Sequence, residues 1–229
     1  MADEKFWRKF WDDKAAAESD FQATGRSQMD ILGFLYTIHE CASILELKSA
    51  DALLDIGSGS GIMALALCSI CSHIVALDIS LDAVRRARKN VSGASNIVTG
   101  LGTIRCLPLK NESFDKVIAY SVLQYLSDEI CIKAAFNEIN RVMRPGAVGL
   151  FAANPDPQSQ INYKKSLLSH KNCNQTNEAI GLLNKTLWVS RENLLELAKE
   201  SGLDAIVLPI NPRIQQHTYM FDLMVSKKG

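Results

Sequence analysis

The sequence lacks a net charge: its 229 residues carry 25 basic and 25 acidic side chains. Proteins that grip a nucleic-acid backbone need a basic surface, because most of that contact is electrostatic. The balanced charge therefore argues against a DNA or bulk RNA substrate.

The sequence also lacks long apolar runs. No uninterrupted apolar stretch approaches the ~20 residues that span a bilayer. The N-terminal residues mix aromatic and charged side chains, including Asp3, Glu4 and Lys5, and show no apolar segment typical of a signal peptide. Six cysteines in such a chain indicate reduced thiols and not a disulfide framework. We therefore expect a cytoplasmic protein with no membrane span.

Short apolar runs alternate with helical patterns along most of the chain. The predicted strands cover 52–56, 74–78, 96–99, 116–120, 147–152, 205–210 and 219–225, and the helices between them cover 62–69, 82–89, 128–142 and 190–202. This alternation predicts an α/β fold with a doubly wound, mostly parallel sheet and helices on both faces.

Three segments stand outside that alternation. Residues 4–18 show an aromatic face and a charged face, which predicts a helix, and 21–27 are predicted to form a turn before a helix from Ser27 to about Leu47. Pro145-Gly146 is predicted to end the helix over 128–142. Residues 154–187 are rich in Asn, Gln, Ser and Lys. Because ligands of such sheets bind where strands end, we expect this insertion to cover the substrate.

A glycine-rich loop follows the first predicted strand. Gly57, Gly59 and Gly61 permit a sharp turn and a close approach of a ligand. A dinucleotide fingerprint would place its third glycine at Ile62, one position later. Asp55 lies at the end of the strand, where a carboxylate repels a pyrophosphate but suits a cationic amino group. The spacing and the acid favour a cofactor that carries an adenosine without a pyrophosphate.

Asp78 ends the second predicted strand, 17 residues beyond Gly61. An acid about 20 residues after such a loop binds ribose hydroxyls. Ile79 follows and is expected to pack on an adenine face. Asp78 is also a possible helix cap, but Ser80 is better placed for that role.

These motifs resemble those of the class I S-adenosylmethionine-dependent methyltransferases, in the small-molecule branch. The resemblance is carried by residues 53–61, 76–80, 107–115, 116–125 and 141–146, in that order. It implies a Rossmann-like seven-stranded sheet whose last strand is antiparallel. It also implies a single domain with an N-terminal helical lid over 1–48, a cofactor-binding core over 50–152, the insertion over 154–187 and a C-terminal helix with strands over 188–229.

The same resemblance implies roles for single residues in binding S-adenosylmethionine. The methionine part would lie against Gly57, Ser58, Gly59, Tyr120 and Ser121, with Asp55 near its amino group, Asp78 on the ribose and Ile79 beside the adenine. Arg26 is expected to pair with the cofactor carboxylate, and Trp11 or Phe21 to wall the methyl-transfer site.

One position departs from the family pattern. The family usually places an acid just after a glycine, facing the adenine amine. Here Gly102 matches the glycine, but Thr103 stands where the acid is expected. A hydroxyl accepts a hydrogen bond more weakly than a carboxylate.

Candidate bases and metal ligands are less defined. Tyr125, His170 and His217 are candidates to remove a proton from the acceptor or to orient it. Cys68, Cys71 and His73 have the look of metal ligands, but no second pair completes a set of four, so we predict no metal and a structural role.

The resulting prediction is a methyltransferase acting on a small molecule through oxygen or nitrogen. A non-catalytic cofactor-binding subunit is the alternative, supported by Thr103. A nicotinamide-dependent oxidoreductase is disfavoured by the glycine spacing and by Asp55. The sequence leaves the oligomeric state, monomer or homodimer, open.

Overall fold

The computed structural model describes residues 3–25, 31–168 and 180–229. The strands are β1 (Ala52–Ile56), β2 (His73–Asp78), β3 (Ile97–Leu101), β4 (Phe114–Tyr120), β5 (Met143–Pro155), β6 (Leu203–Pro209) and β7 (Met220–Lys227). The helices are α1 (Glu4–Ala15), α2 (Asp20–Ala23), α3 (Ile31–Ile44), α4 (Ile62–Leu67), α5 (Leu81–Asn90), α6 (Glu129–Val142), α7 (Gln160–Leu168) and α8 (Arg191–Glu200).

The seven strands form one sheet in the order β3-β2-β1-β4-β5-β7-β6. Neighbouring strands from β3 to β5 are parallel, whereas β7 is antiparallel to both β5 and β6. The predicted Rossmann-like, doubly wound sheet with an antiparallel last strand is therefore confirmed. Strand order reverses between β1 and β4, and ligands of open α/β sheets bind at this switch point, outside the carboxyl ends of the strands.

Apolar side chains pack on both faces of the sheet. One core joins the sheet to α6 and α8, and Phe136 meets Phe151 there at 5.1 Å between ring centroids. The other core joins the sheet to α3 and α4, with Phe34, Ile38 and Met63 buried in it. The strands β1 and β4 carry buried side chains along most of their length, as expected for parallel strands covered on both sides.

Polar caps set where several helices begin. Ser80 Oγ accepts from Ala83 N at 3.0 Å and so begins α5, as expected for this serine. Asp128 Oδ1 accepts from Cys131 N at 2.8 Å at the start of α6, and Ser190 Oγ accepts from Asn193 N at 3.1 Å at the start of α8.

The structure corrects two local predictions. The predicted turn over 21–27 contains the short helix α2, which begins with a capping box formed by Ser19 and Gln22. Pro145 does not end a helix but lies inside β5, because the ladder to β4 is interrupted between Met143 and Val148 and needs no N–H at position 145. Ser27, the predicted cap of α3, lies outside the described residues.

Within the described residues, no helix combines the length and the apolar character needed to cross a bilayer.

Candidate cofactor-binding site

The glycine loop joins β1 to α4 at the carboxyl edge of the sheet. Its three glycines all have positive φ, 71° at Gly57, 55° at Gly59 and 75° at Gly61. Gly57 N and Ser58 N both donate to the carbonyl oxygen of Leu77, at 2.8 and 3.1 Å. These bonds hold the loop against the end of β2, next to Asp78.

The loop has no room for side chains at two of these positions. A Cβ at Gly57 would lie 2.5 Å from Val122 Cγ2, and one at Gly59 would lie 2.7 Å from Thr24 Cγ2. The loop is therefore bare backbone under the N-terminal segment. Ser58 Oγ is buried and has no hydrogen-bond partner among the described residues, which is the mark of a group that a polar ligand would satisfy.

Asp78 is buried beside this loop. Its Oδ2 accepts from Gly59 N at 2.8 Å, and its Oδ1 accepts from Ser80 N at 2.9 Å. Burial raises the pKa of Asp78, and these backbone hydrogen bonds lower it only in part. Because each carboxylate oxygen has two lone pairs, both can still accept a hydroxyl proton. The carboxylate is thus preorganised between the glycine loop and α5.

The other predicted cofactor residues lie along the same edge. Asp55 is buried in β1, and Tyr120 is buried at the end of β4. Ile79 is half-buried directly after Asp78. Gly102 N donates to the carbonyl oxygen of Asp78 at 2.9 Å, so the loop after β3 is tied to the end of β2. The fold therefore brings the predicted residues of β1, β2, β3 and β4 to one edge.

Thr103 meets a residue that the sequence did not single out. Its hydroxyl donates to Glu4 Oε2 of α1 at 3.5 Å, and the same carboxylate pairs with Arg105. The hydrogen bond that Arg105 donates to Glu4 raises the pKa of Arg105. No sequence signal links residues about a hundred positions apart.

Residues 3–25, the described N-terminal part of the predicted lid over 1–48 and here termed the lid, lie over this edge. Trp7 and Trp11 pack against Tyr125, at 4.6 and 5.2 Å between ring centroids. Tyr125 is therefore held in an aromatic cluster. Phe21 contacts Phe34 of α3 at 5.3 Å, away from that cluster.

Polar contacts clasp the lid to α5. Arg86 Nε donates to Asp20 Oδ1 at 2.7 Å, and Asn90 Nδ2 donates to the same oxygen at 2.8 Å. Ser80 Oγ donates to Asp12 Oδ1 at 2.6 Å. Sequence reasoning missed these contacts, although the Ser19-x-x-Gln22 pattern is a signal for the helix that presents Asp20.

The remaining candidates are less informative. His217 is exposed, with Nδ1 2.9 Å from the carbonyl oxygen of Ile214. Arg26 and His170 lie outside the described residues. Burial raises the pKa of Cys71 to about 11, as expected for an inert thiol. Within the described part of the chain, no three His, Cys, Asp or Glu side chains are grouped to hold a metal ion.

The fold and the site together define a class of protein: a doubly wound α/β protein with a glycine loop and a buried acid at the switch point of its sheet. Residues 54–151 match the family model described as a methyltransferase domain. Over these residues, which include the glycine loop and Asp78, the chain is similar to the methyltransferase domain family.

Known proteins resemble this chain in sequence and in fold. An uncharacterised protein of Methanocaldococcus jannaschii is 33% identical over 107 residues, which are 46% of this chain and 38% of that protein. A chain from the Haloferax volcanii complex between the Trm112 methyltransferase activator and a proposed methyltransferase superposes with a TM-score of 0.72 at 18% identity, covering 99% of both chains.

The N-methyltransferase NodS of Bradyrhizobium japonicum, solved in complex with S-adenosyl-L-homocysteine, gives a TM-score of 0.68 at 14% identity, covering 97% of this chain and 98% of that one. The chain matches less than half the length of eight curated relatives, between 30% and 49%.

Proposed function

We propose that this protein transfers the methyl group of S-adenosylmethionine to a small-molecule acceptor, through oxygen or nitrogen. The observation that carries the proposal is Asp78, buried at the end of β2 and hydrogen-bonded to Gly59 of the glycine loop. The bound cofactor supplies an electrophilic methyl group on its sulfonium. The residues of the chain then need only to hold the cofactor and to align the acceptor.

In this proposal the cofactor residues divide by position. The bare loop at Gly57, Ser58 and Gly59 receives the methionine part, together with Asp55 and Tyr120. Asp78 holds the ribose and Ile79 flanks the adenine. Gly102 and Thr103, in the loop after β3, border the adenine on the side away from the glycine loop. The buried Ser58 hydroxyl supports this assignment, because it has no hydrogen-bond partner among the described residues and a polar ligand would supply one.

The acceptor site is proposed to lie beside the lid and the described end of the insertion, residues 180–187. Lys185 Nζ of the insertion lies 4.1 Å from the centroid of the Phe6 ring of the lid, and Leu187 N donates to the carbonyl oxygen of Gln124 at 2.9 Å. These contacts place the end of the insertion beside the lid. A concave site lined by the aromatic side chains of the lid would suit a small molecule better than a polymer. The name of NodS as an N-methyltransferase supports nitrogen as one acceptor atom.

Of the two candidate bases that the structure describes, Tyr125 has the better position. Its ring is fixed against Trp7 and Trp11 of the lid, whereas His217 is exposed. We therefore propose that Tyr125 orients the acceptor within the proposed acceptor site.

Calorimetry with S-adenosylhomocysteine tests the cofactor assignment. The Asp78→Ala variant removes both ribose contacts, and we expect its binding to fall by at least a hundredfold. The matched control is Asp204→Ala, which changes an exposed aspartate on β6 and should bind as the wild type does. Unchanged affinity of a folded Asp78→Ala protein would overturn the assignment.

Transfer of a labelled methyl group tests the activity and the acceptor class. The wild-type protein, labelled S-adenosylmethionine and a cell extract separated by size should place label in the small-molecule fraction. Label in the protein or nucleic-acid fraction would contradict the small-molecule proposal. Cofactor binding without transfer to any fraction would indicate a non-catalytic subunit.

A further inference from the structure

The loop after β3 carries no acid of its own but lies against one from the lid. Glu4, the first residue of α1, has a side chain that is 31% exposed, and its Oε2 lies 3.5 Å from Thr103 Oγ1. Two guanidinium groups hold this carboxylate: Arg105 pairs with Oε2, and Arg8 Nη2 lies 3.3 Å from Oε1. The carboxylate is therefore fixed at the end of β3, although it belongs to a distant part of the sequence.

Strand order relates this carboxylate to the proposed cofactor site. The glycine loop follows β1, Asp78 ends β2, and Thr103 follows β3, in the same order as the strands lie in the sheet. A ligand with one end at the glycine loop and its ribose on Asp78 extends its base toward β3. The hydrogen bond from Gly102 N to the carbonyl oxygen of Asp78 keeps the loop with Thr103 close to the ribose position.

The chemistry of the base then requires an acceptor at this place. Adenine carries an exocyclic amine that donates, and a carboxylate accepts more strongly than a hydroxyl. The contact from Thr103 to Glu4 is long, since O–H···O⁻ bonds are normally 2.5–2.7 Å. A carboxylate has about four acceptor sites, so Glu4 retains capacity for another donor beside its present ones.

We propose that Glu4 of the lid accepts a hydrogen bond from the 6-amino group of the cofactor's adenine, in the place of an acid on the loop after β3. This inference rests on the proposed function, because it takes S-adenosylmethionine as the ligand. Arg105 is a positioning residue that fixes Glu4. The lid then takes part in recognising the base as well as covering the site.

A pair of ligands that differ only at that amine tests the proposal. S-adenosylhomocysteine presents a donor at position 6 of its base, whereas S-inosylhomocysteine presents an oxygen acceptor. Calorimetry on the wild-type protein should show a preference of about tenfold or more for the adenosyl ligand. In Glu4→Gln the preference should nearly vanish, because an amide can accept from an amine and donate to an oxygen. Glu18→Gln, an exposed glutamate of the lid, should keep the full preference.

A rescue separates recognition from a structural role. In the Glu4→Gln background, Thr103→Asp returns a carboxylate to the same place and should restore the preference for the adenosyl ligand. If Glu4 only anchors the lid, Glu4→Gln will weaken both ligands equally and leave their ratio unchanged, which would overturn the proposal. A wild-type protein that binds neither ligand would instead contradict the proposed function itself.

Discussion

Gly59 shows how a single residue serves the backbone and the site together. Its φ of 55° places it in the left-handed region, its N–H donates to Asp78, and Thr24 of the lid packs where a Cβ would stand. A side chain here meets two separate penalties, conformational strain and a steric clash.

The Gly59→Ala variant should lose stability through both penalties. The left-handed conformation costs an alanine about 1–2 kcal/mol, and the 2.7 Å approach to Thr24 Cγ2 adds to that cost. Urea unfolding of Gly59→Ala should therefore show a free energy of unfolding at least ~1 kcal/mol below that of the wild type.

Two further variants check the cause. Thr24→Ser removes the clashing methyl group but keeps the hydroxyl. A double-mutant cycle should therefore give the free energy of the clash, and Gly59→Ala in the Thr24→Ser background should show only the cost of the conformational strain. Gly93→Ala, where a Cβ would meet nothing within 4 Å, should change stability by little. An equal loss at Gly93 would show that the effect is not specific to the loop.

At the scale of elements, the lid depends on α5. Arg86 of α5 is 21% exposed and donates to Asp20 and to the carbonyl oxygens of Ala15 and Ala17. The neighbouring Arg85 is 66% exposed and pairs only with Asp82 of its own helix among its described contacts. Arg86 thus joins the lid to α5, whereas Arg85 stabilises a single turn of α5.

The Arg86→Met variant should loosen the lid without unfolding the sheet. Removing hydrogen bonds to a charged group costs about 1.5–3 kcal/mol, so amide exchange in α1 should accelerate by about tenfold or more while β1 and β4 keep their protection. Arg85→Met serves as the matched control and should leave exchange in α1 unchanged. Equal acceleration of amide exchange in α1 in both variants would contradict the proposed role of Arg86 in holding the lid.

At the scale of the whole molecule, a buried carboxyl group on β7 makes stability depend on pH. Burial raises the pKa of Asp222 to about 6, with a further contribution from Glu40, although Asp222 accepts from Ala153 N at 2.7 Å. Since the pKa in the folded state exceeds the unfolded value of 3.8, the folded protein binds more protons between these two pH values. The contribution of Asp222 to stability should therefore fall as pH rises from about 4 to 6.

The Asp222→Asn variant isolates this contribution. The amide keeps an oxygen for Ala153 N but does not titrate, so the variant should lose less stability than the wild type over that pH range, by at most about 3 kcal/mol. Urea unfolding at several pH values measures the difference between the two proteins. Asp78, whose pKa is also raised, contributes in both proteins and cancels in the comparison.

At lower pH, Glu138 makes stability depend on pH with the opposite sign to Asp222. A hydrogen bond from Arg141 lowers the pKa of Glu138, so its stabilisation is present above its unfolded value of 4.5 and is lost below it. The two effects have opposite signs and overlap between pH 3.8, the unfolded pKa of Asp222, and pH 4.5, the unfolded pKa of Glu138. Identical profiles of wild type and Asp222→Asn between pH 4 and 6 would refute the role of Asp222.

The sequence by itself determined the order of the strands along the chain, the glycine loop and the acid that ends β2. These features are local, because the period of apolar residues and the spacing of glycines are set within a few residues. Asp78 and Ser80 were therefore assigned from their neighbours alone, and the resemblance supplied the family. The sequence could not place Pro145 inside β5, since only the interrupted ladder with β4 makes that position tolerable.

Only the tertiary structure decided what stands opposite each local motif. Glu4 reaches Thr103, Thr24 covers Gly59 and Asp20 meets Arg86, each across about 35 to 100 residues of chain. Such pairs leave no periodic trace, because their partners are chosen by the packing of α1 and α2 on the sheet. The local pattern indicated the class of cofactor. The fold assembled the lid, which we propose takes part in recognising the adenine of that cofactor.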